Sequence, residues 1–263
     1  MEQALFITRP DHLHYWAENF SCLYFGNEFC ERLLPTSDEL ATALKFACDN
    51  GAGFALVTPY VTEAGIRRVE ALLDAVVNQR PGSEVVFNDY GVLRLMRQRF
   101  PNLVPVMGRL LNKMKRGPRL MMVIDRLPET TIEYFSNSSL TVPLVQEFLM
   151  EHRVRRVELD NILQGIDLPL EGLEVSLYIP YAYVTTTRMC LTASCDVPEM
   201  EEQIGIFPCR RECRKYSFGL TSEIMPVMLI RKGNTIFFKN TALPEGFEEK
   251  GISRLVIQPE IPM

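Results

Sequence analysis

Short apolar runs alternate along the chain with longer stretches in which apolar residues recur every three or four positions. Residues 4–8 and 22–26 read as the first two strands. A helix follows: Thr36 and Glu39 have the spacing of a capping box, Leu40, Leu44 and Ala47 share one face, and Gly51 can end it. Residues 53–58 form a third strand, stopped by Pro59, and 63–78 are helical. Residues 84–88 give a fourth strand and 90–99 its helix, with Val92, Leu93 and Met96 inward. A fifth strand covers 103–107. From Asn112 to Leu140 the periodicity blurs. This stretch reads as an insertion after a strand, with a basic patch of Lys113, Lys115, Arg116 and Arg119. Regularity returns with a helix at 143–151, a sixth strand at 156–160 and a seventh at 173–179. Residues 223–239 read as a hairpin turning at Gly233-Asn234, and 254–258 as the last strand.

Strand and helix alternate, and the strands are apolar on both faces. That pattern predicts a parallel sheet covered by helices. Seven or eight such strands in 263 residues predict an α/β fold, a TIM-barrel-like (β/α)8 single domain over 1–263. In such barrels chemistry gathers at the C-terminal ends of strands. Those ends carry Asn27, Glu28 and Cys30, then Asn88 and Asp89, then Arg109 and Asn112, then Glu158 and Asp160. An irregular cysteine-bearing segment, 188–215, is expected after the seventh strand.

The composition is that of a globular chain, 47% apolar and 23% charged, and a net charge of −5 argues against bulk nucleic-acid binding. The first ten residues read directly into a strand, with no basic and apolar leader, and no apolar run is long enough to span a bilayer. The expected compartment is the cytoplasm, where disulfides are rare. The seven cysteines therefore need another account. Cys22 falls inside a strand and Cys48 on the apolar side of a helix, so both are expected to be packed core thiols. Cys209 and Cys213 are four apart, so one helical turn would put both sulfurs on one face. Arg210, Arg211, Arg214 and Lys215 crowd them and would lower their thiol pKa. Cys30 and Cys190 follow predicted barrel strands and can converge at one rim. Four thiolates suit an iron–sulfur cluster or a zinc, and the absence of tight cysteine pairs speaks against a zinc knuckle. Structural cysteine remains the other reading. Cys195 is either a substitute for Cys190 or a bystander.

Several ordered pieces carry a family resemblance: Tyr24-Phe25-Gly26-Asn27-Glu28-Phe29-Cys30, Asn88-Asp89-Tyr90-Gly91-Val92, Gly108-Arg109-Leu110-Leu111-Asn112, Val157-Glu158-Leu159, and Tyr181-Ala182-Tyr183 running to Arg188-Met189-Cys190-Leu191-Thr192-Ala193. The chain resembles the collagenase-like peptidase family U thirty-two, in particular its UbiV-like branch. The resemblance implies a 4Fe-4S cluster on Cys30, Cys190, Cys209 and Cys213. It also implies a part in oxygen-independent hydroxylation of a ubiquinone precursor (ubiquinone biosynthesis) or an RNA base, with prephenate as oxygen donor. The expected partner is a second family member, as a heterodimer. Two departures stand out. The stretch Tyr178-Ile179-Pro180-Tyr181 lacks the histidine of related members, and Arg109 stands where the branch has histidine.

Among other candidates, Arg109 either clamps a carboxylate substrate bidentately or forms a buried salt bridge with the carboxylates of the sixth strand. Glu158 would position or deprotonate the substrate, and Asn112 is a further polar strand-end candidate. His12 and His14 read as an exposed loop, and His152 as the end of a helix. No Ser/His/Asp arrangement or zinc-protease helix motif is visible, which argues against peptidase activity. Two further roles are weighed: a catalytic hydroxylase component, and a non-catalytic electron-transfer or structural subunit.

Overall fold

The computed structural model describes residues 1–167, 172–200, 207–244, 246–247 and 251–263, and the side chain of Met200 is not among what it describes. The strands are β1 (Glu2–Ile7), β2 (Cys22–Gly26), β3 (Gly53–Val57), β4 (Glu84–Phe87), β5 (Val104–Met107), β6 (Arg156–Asp160), β7 (Glu174–Ile179), β8 (Tyr181–Thr186), β9 (Phe218–Leu220), β10 (Leu229–Lys232), β11 (Thr235–Lys239) and β12 (Ile252–Ile257). The helices are α1 (Ser37–Asp49), α2 (Glu63–Gln79), α3 (Tyr90–Arg99), α4 (Glu129–Ser136) and α5 (Pro143–Glu151). Strands β1 to β7 and β12 close a barrel in the order β1-β12-β7-β6-β5-β4-β3-β2, with every neighbouring pair parallel. The fold is the expected α/β barrel.

Local sequence explains the elements. Thr36 and Glu39 form a complete capping box at the start of α1, each side chain bonded to the other residue's backbone N–H. Thr62 and Asp89 cap α2 and α3 in the same sense, through Gly65 and Gly91. The inward stripes of these helices, such as Leu40, Ala43, Leu44 and Ala47 on α1, pack on the outer strand faces. The barrel interior holds a second cluster that includes Phe6, Tyr24, Val57, Val86 and Tyr178. At the end of β2, a Cβ on Gly26 would lie 2.1 Å from the carbonyl oxygen of Val57, and its φ is +139°. Only glycine allows β2 to leave the barrel there and lead into Cys30.

Four expectations need correction. The stretch after the seventh strand is not irregular throughout: β8 pairs with β11, and β9 with β10, in an antiparallel sheet ordered β8-β11-β10-β9. This sheet is inserted between the seventh and eighth barrel strands, and it roofs one end of the barrel. The hairpin at Gly233-Asn234 forms as expected, but its strands begin only at Leu229. Cys48 is exposed, because the buried stripe of α1 ends at Ala47. His12 is buried rather than exposed. It sits within hydrogen-bond distance of Arg9 (2.7 Å) and 3.5 Å from Glu260, near the far end of the chain.

Residues 112–140 contain short 3-10 turns and α4, and an isolated antiparallel bridge from Met114 to Ser138 joins the two ends of the stretch. No helix among the described residues is long and apolar enough to cross a membrane.

Candidate metal centre

The roof sheet and the loop after β2 form one apolar cluster of Phe29, Leu33, Tyr183, Cys213, Phe237 and Met263, with Cys30 packed against it. Phe29 meets Tyr183 and Phe237 edge to face, at ring centroid distances of 5.5 and 5.2 Å. Cys213 is buried, while Cys30, Cys190 and Cys209 are half-buried. The four thiols are electrostatic neighbours. Burial pushes the Cys213 thiol up to about 12, and Cys190, Cys30 and Cys209 add to that rise. The Cys30 thiol is also raised, first by burial and then by Cys209 and Cys190. Cys195 is exposed; burial raises its thiol, followed by Asp196 and Glu212, with a smaller contribution from Cys190. Among the described residues no three His, Cys, Asp or Glu side chains converge closely enough to hold a single metal ion.

Two side chains tie the cysteine segments together. Asn234, at the turn between β10 and β11, places its Nδ2 2.7 Å from the carbonyl of Phe29, 2.5 Å from that of Thr187 and 2.9 Å from the Tyr60 hydroxyl. It thereby links the residue before Cys30 to the loop that carries Cys190. Its neighbour Gly233 lies so close to Cys213 that an added Cβ would stand 3.2 Å from the Cys213 Cβ. Glu212 accepts from the backbone N–H of Ser194 at 2.9 Å and of Arg210 at 3.0 Å, which joins the Cys190–Cys195 loop to the Cys209–Cys213 loop. Burial opposes its charge, but these backbone donors win and hold its pKa below the usual carboxylate value. Sequence reasoning missed both residues. Gly-Asn was visible only as a turn signal, and Glu212 only as one charge among several.

The cysteine segment differs from expectation in two ways. Cys209 and Cys213 do not share a helical turn: Arg211 is left-handed at φ 64°, and only Glu212–Arg214 form a 3-10 turn. At Cys213 the expected lowering by the adjacent arginines fails. Burial dominates at Cys213, and the cation acting on it is Lys232. Arg210 is occupied by Asp196 at 3.0 Å and Glu212 at 3.5 Å. The backbone N–H of Arg211 points to the Cys209 sulfur at 3.4 Å, and the Cys190 sulfur lies 3.2 Å from the Thr192 hydroxyl. Positions 201–206 of this segment lie outside the described residues.

The candidate catalytic residues lie beneath this roof. Arg109 has no exposed surface. Its Nε and Nη2 donate to Glu28 and its Nη1 to Asp160 (2.8 Å) and the carbonyl of Tyr181, while its face stacks 4.0 Å from the Tyr178 ring. Asp160 also takes Arg116 at 2.7 Å and the backbone N–H of Tyr183. The guanidinium is the centre of an internal ion network and leaves no open fork for a substrate carboxylate. Asn112 is 1% exposed, with its Oδ1 buried and unpartnered. Asn88 bridges the carbonyl of Thr58 to the backbone N–H of Leu110. Asn88, Arg109 and Asn112 are all buried at this end of the barrel, and Asn88 also lines a cavity of about 400 Å³.

Glu158 lies deeper, fully buried, accepting from the Tyr178 hydroxyl through Oε2, while Oε1 has no partner. Burial, and then the charge of Glu28, push its pKa from 4.5 up to about 8. A raised folded pKa means that the folded state holds a proton that the unfolded state has released between those two values. Its contribution is thus complete below about 4.5 and is lost as pH rises through about 8. The unfolding free energy of the wild type, measured in urea, is expected to fall from pH 5 to pH 8 relative to that of Glu158→Gln, by up to about 1 kcal/mol per pH unit. Parallel profiles for the two proteins would show that Glu158 is ionised in the fold.

No family model and no curated protein matches the sequence. Among solved structures the chain is similar to the U32 peptidase Mk0906, at 9% identity and a TM-score of 0.46, over 100% of this chain and 94% of that one.

Proposed function

We propose that this chain is an iron–sulfur protein with Cys30, Cys190, Cys209 and Cys213 as ligands of a 4Fe-4S cluster, and that it carries electrons in an oxygen-independent hydroxylation system. The observation behind this reading is the gathering of four thiols from three separate segments at the roofed end of the barrel, each within reach of others' charge. The donor set fits such a group. It is all thiol, it lies against apolar side chains, and a backbone N–H faces one sulfur, as is common around clusters. A cluster held by four thiolates has no free coordination position and supplies one-electron transfer. The chain's own residues hold the ligand loops in place, through Asn234 and Glu212, and shield them with Phe29 and Phe237.

The hydroxylation reading comes from the resemblance to the UbiV-like branch, with a ubiquinone precursor or an RNA base as substrate and a second family member as partner. The burial of Arg109, Glu158 and Asn112 favours the non-catalytic role within such a pair, the partner providing the substrate site. The test is deletion of the gene in its host, grown with and without dioxygen, with hydroxylated quinone and hydroxylated RNA bases quantified. One of the two is expected to disappear only without dioxygen. Cys195→Ala should restore it and Cys209→Ser should not. Unchanged contents under both conditions would rule out the hydroxylation role.

A further inference from the structure

The basic patch of the 112–140 stretch divides in the structure. Arg116 turns inward to Asp160 and the carbonyls of Arg109 and Asn112. Lys113 and Lys115 stay exposed, and neither is ion-paired among the described residues. Both line a cavity of about 620 Å³, within the range of small-molecule pockets. Its walls are Tyr134, Phe135, Met114 and Val142, with hydroxyls of Ser138 and Thr141 between them. Lys113 and Lys115 are the charged residues of the described lining, and no carboxylate joins them.

The walls are braced rather than loose. Lys113 and Ser139 exchange two bonds, from the backbone N–H of Lys113 to the Ser139 hydroxyl at 3.0 Å and from the N–H of Ser139 to the Lys113 carbonyl at 2.9 Å. Gln164 donates to the carbonyls of Lys115 at 2.6 Å and Phe135 at 2.9 Å, which ties the two walls to each other. Asn137 holds Ser138 and Thr141, and the Lys115 ammonium sits 5.5 Å from the centre of the Phe135 ring. Lys113 and Met114 also line a second cavity, of about 400 Å³, that runs over the barrel end to Tyr60 and Tyr183. The pocket therefore opens toward the roofed end of the barrel.

We infer that this pocket is a binding site for a small amphipathic anion, whose ring or other apolar body lies on Tyr134, Phe135 and Val142 and whose negative group sits between Lys113 and Lys115. A neutral apolar ligand would leave both ammonium groups without a counter-charge. An inorganic anion would leave the aromatic wall uncovered. Neither the geometry nor the chemistry of this site involves the cysteines.

The test is equilibrium dialysis of the anaerobically purified full-length protein against naphthalene-1-sulfonate, with 1-naphthalenemethanol as the uncharged counterpart. Saturable binding of about one sulfonate per chain is expected, with the alcohol bound more weakly. Reversal of both cations, Lys113→Glu with Lys115→Glu, should weaken sulfonate binding tenfold or more. Reversal of two exposed lysines outside the cavity, Lys45→Glu with Lys239→Glu, should leave it unchanged and controls for net charge. The inference is overturned if sulfonate fails to saturate, if the alcohol binds as tightly, or if the two double variants bind alike. Thermal melts confirm that each variant is folded. Iron measured on the same preparations keeps this result separate from the metal reading, since binding that persists without iron leaves only the cluster in question.

Discussion

Replacing Arg109 by methionine is expected to destabilise the fold by about 3–5 kcal/mol, enough to leave much of the protein insoluble at ordinary growth temperature. The guanidinium is fully buried between Glu28 and Asp160, with both carboxylates equally sealed. Glu28 has Arg109 as its charge partner, so the substitution strands a buried carboxylate. Burial already raises the Glu28 pKa against the pull of Arg109, and removing the arginine would push it further. Asp160 keeps Arg116 and the N–H of Tyr183, so most of the loss falls on Glu28. Two comparisons separate a lost ion pair from lost volume. The double variant Arg109→Met with Glu28→Met should recover a large part of the stability, because it removes the stranded charge. Arg109→Lys should fall between, because one ammonium cannot reproduce the fork that reaches Glu28, Asp160 and the Tyr181 carbonyl. Urea unfolding of the four proteins measures this directly. A single variant as stable as the wild type would show that the network is not holding the mouth of the barrel together.

The second large effect is on metal content. Cys30→Ser, Cys190→Ser, Cys209→Ser and Cys213→Ser are each expected to lower iron per chain to near zero after anaerobic purification. Cys195→Ala and Cys48→Ala should keep the wild-type content, because both are exposed. The protein without metal should also melt at lower temperature, since ligand binding to the folded state is linked to folding. Raised thiols at Cys30 and Cys213 release protons when they become ligands, so loading should be stronger at pH 8 than at pH 6. Iron retained by one of the four serines would hand that position to another donor, and Cys195 in place of Cys190 is the first such exchange to examine.

The barrel was readable because most of its strands contain a short apolar run and several of its helices carry their own caps. Thr36 with Glu39 and the stripe of Leu40, Leu44 and Ala47 define α1 from local sequence alone. The roof was not readable in the same way. Tyr181–Thr186 pairs with Thr235–Lys239, some fifty residues on, and β9 has only three residues, so neither announces its partner locally. His12 shows the same limit, since its cover comes from Arg9 and from Glu260 at the other end of the chain. At the site, cysteine spacing drew attention to the right stretch of chain, but the helical turn imagined for Cys209 and Cys213 ignored that Glu212 would bind two backbone donors and bend the loop. Arg109 was visible as a charge at a strand end. That it faces Glu28, 81 residues away, is a consequence of barrel closure that no local pattern carries.

The central claim is that the four gathered thiols hold a cluster, and its most direct test is iron and acid-labile sulfide measured on the anaerobically purified wild-type chain, with its visible absorption. About four irons and about four sulfides per chain, with broad absorption near the blue that reduction bleaches, is the expected result. A colourless protein carrying zinc, or no metal at all, would contradict the account and leave Cys30, Cys190, Cys209 and Cys213 as packing for the roof of the barrel.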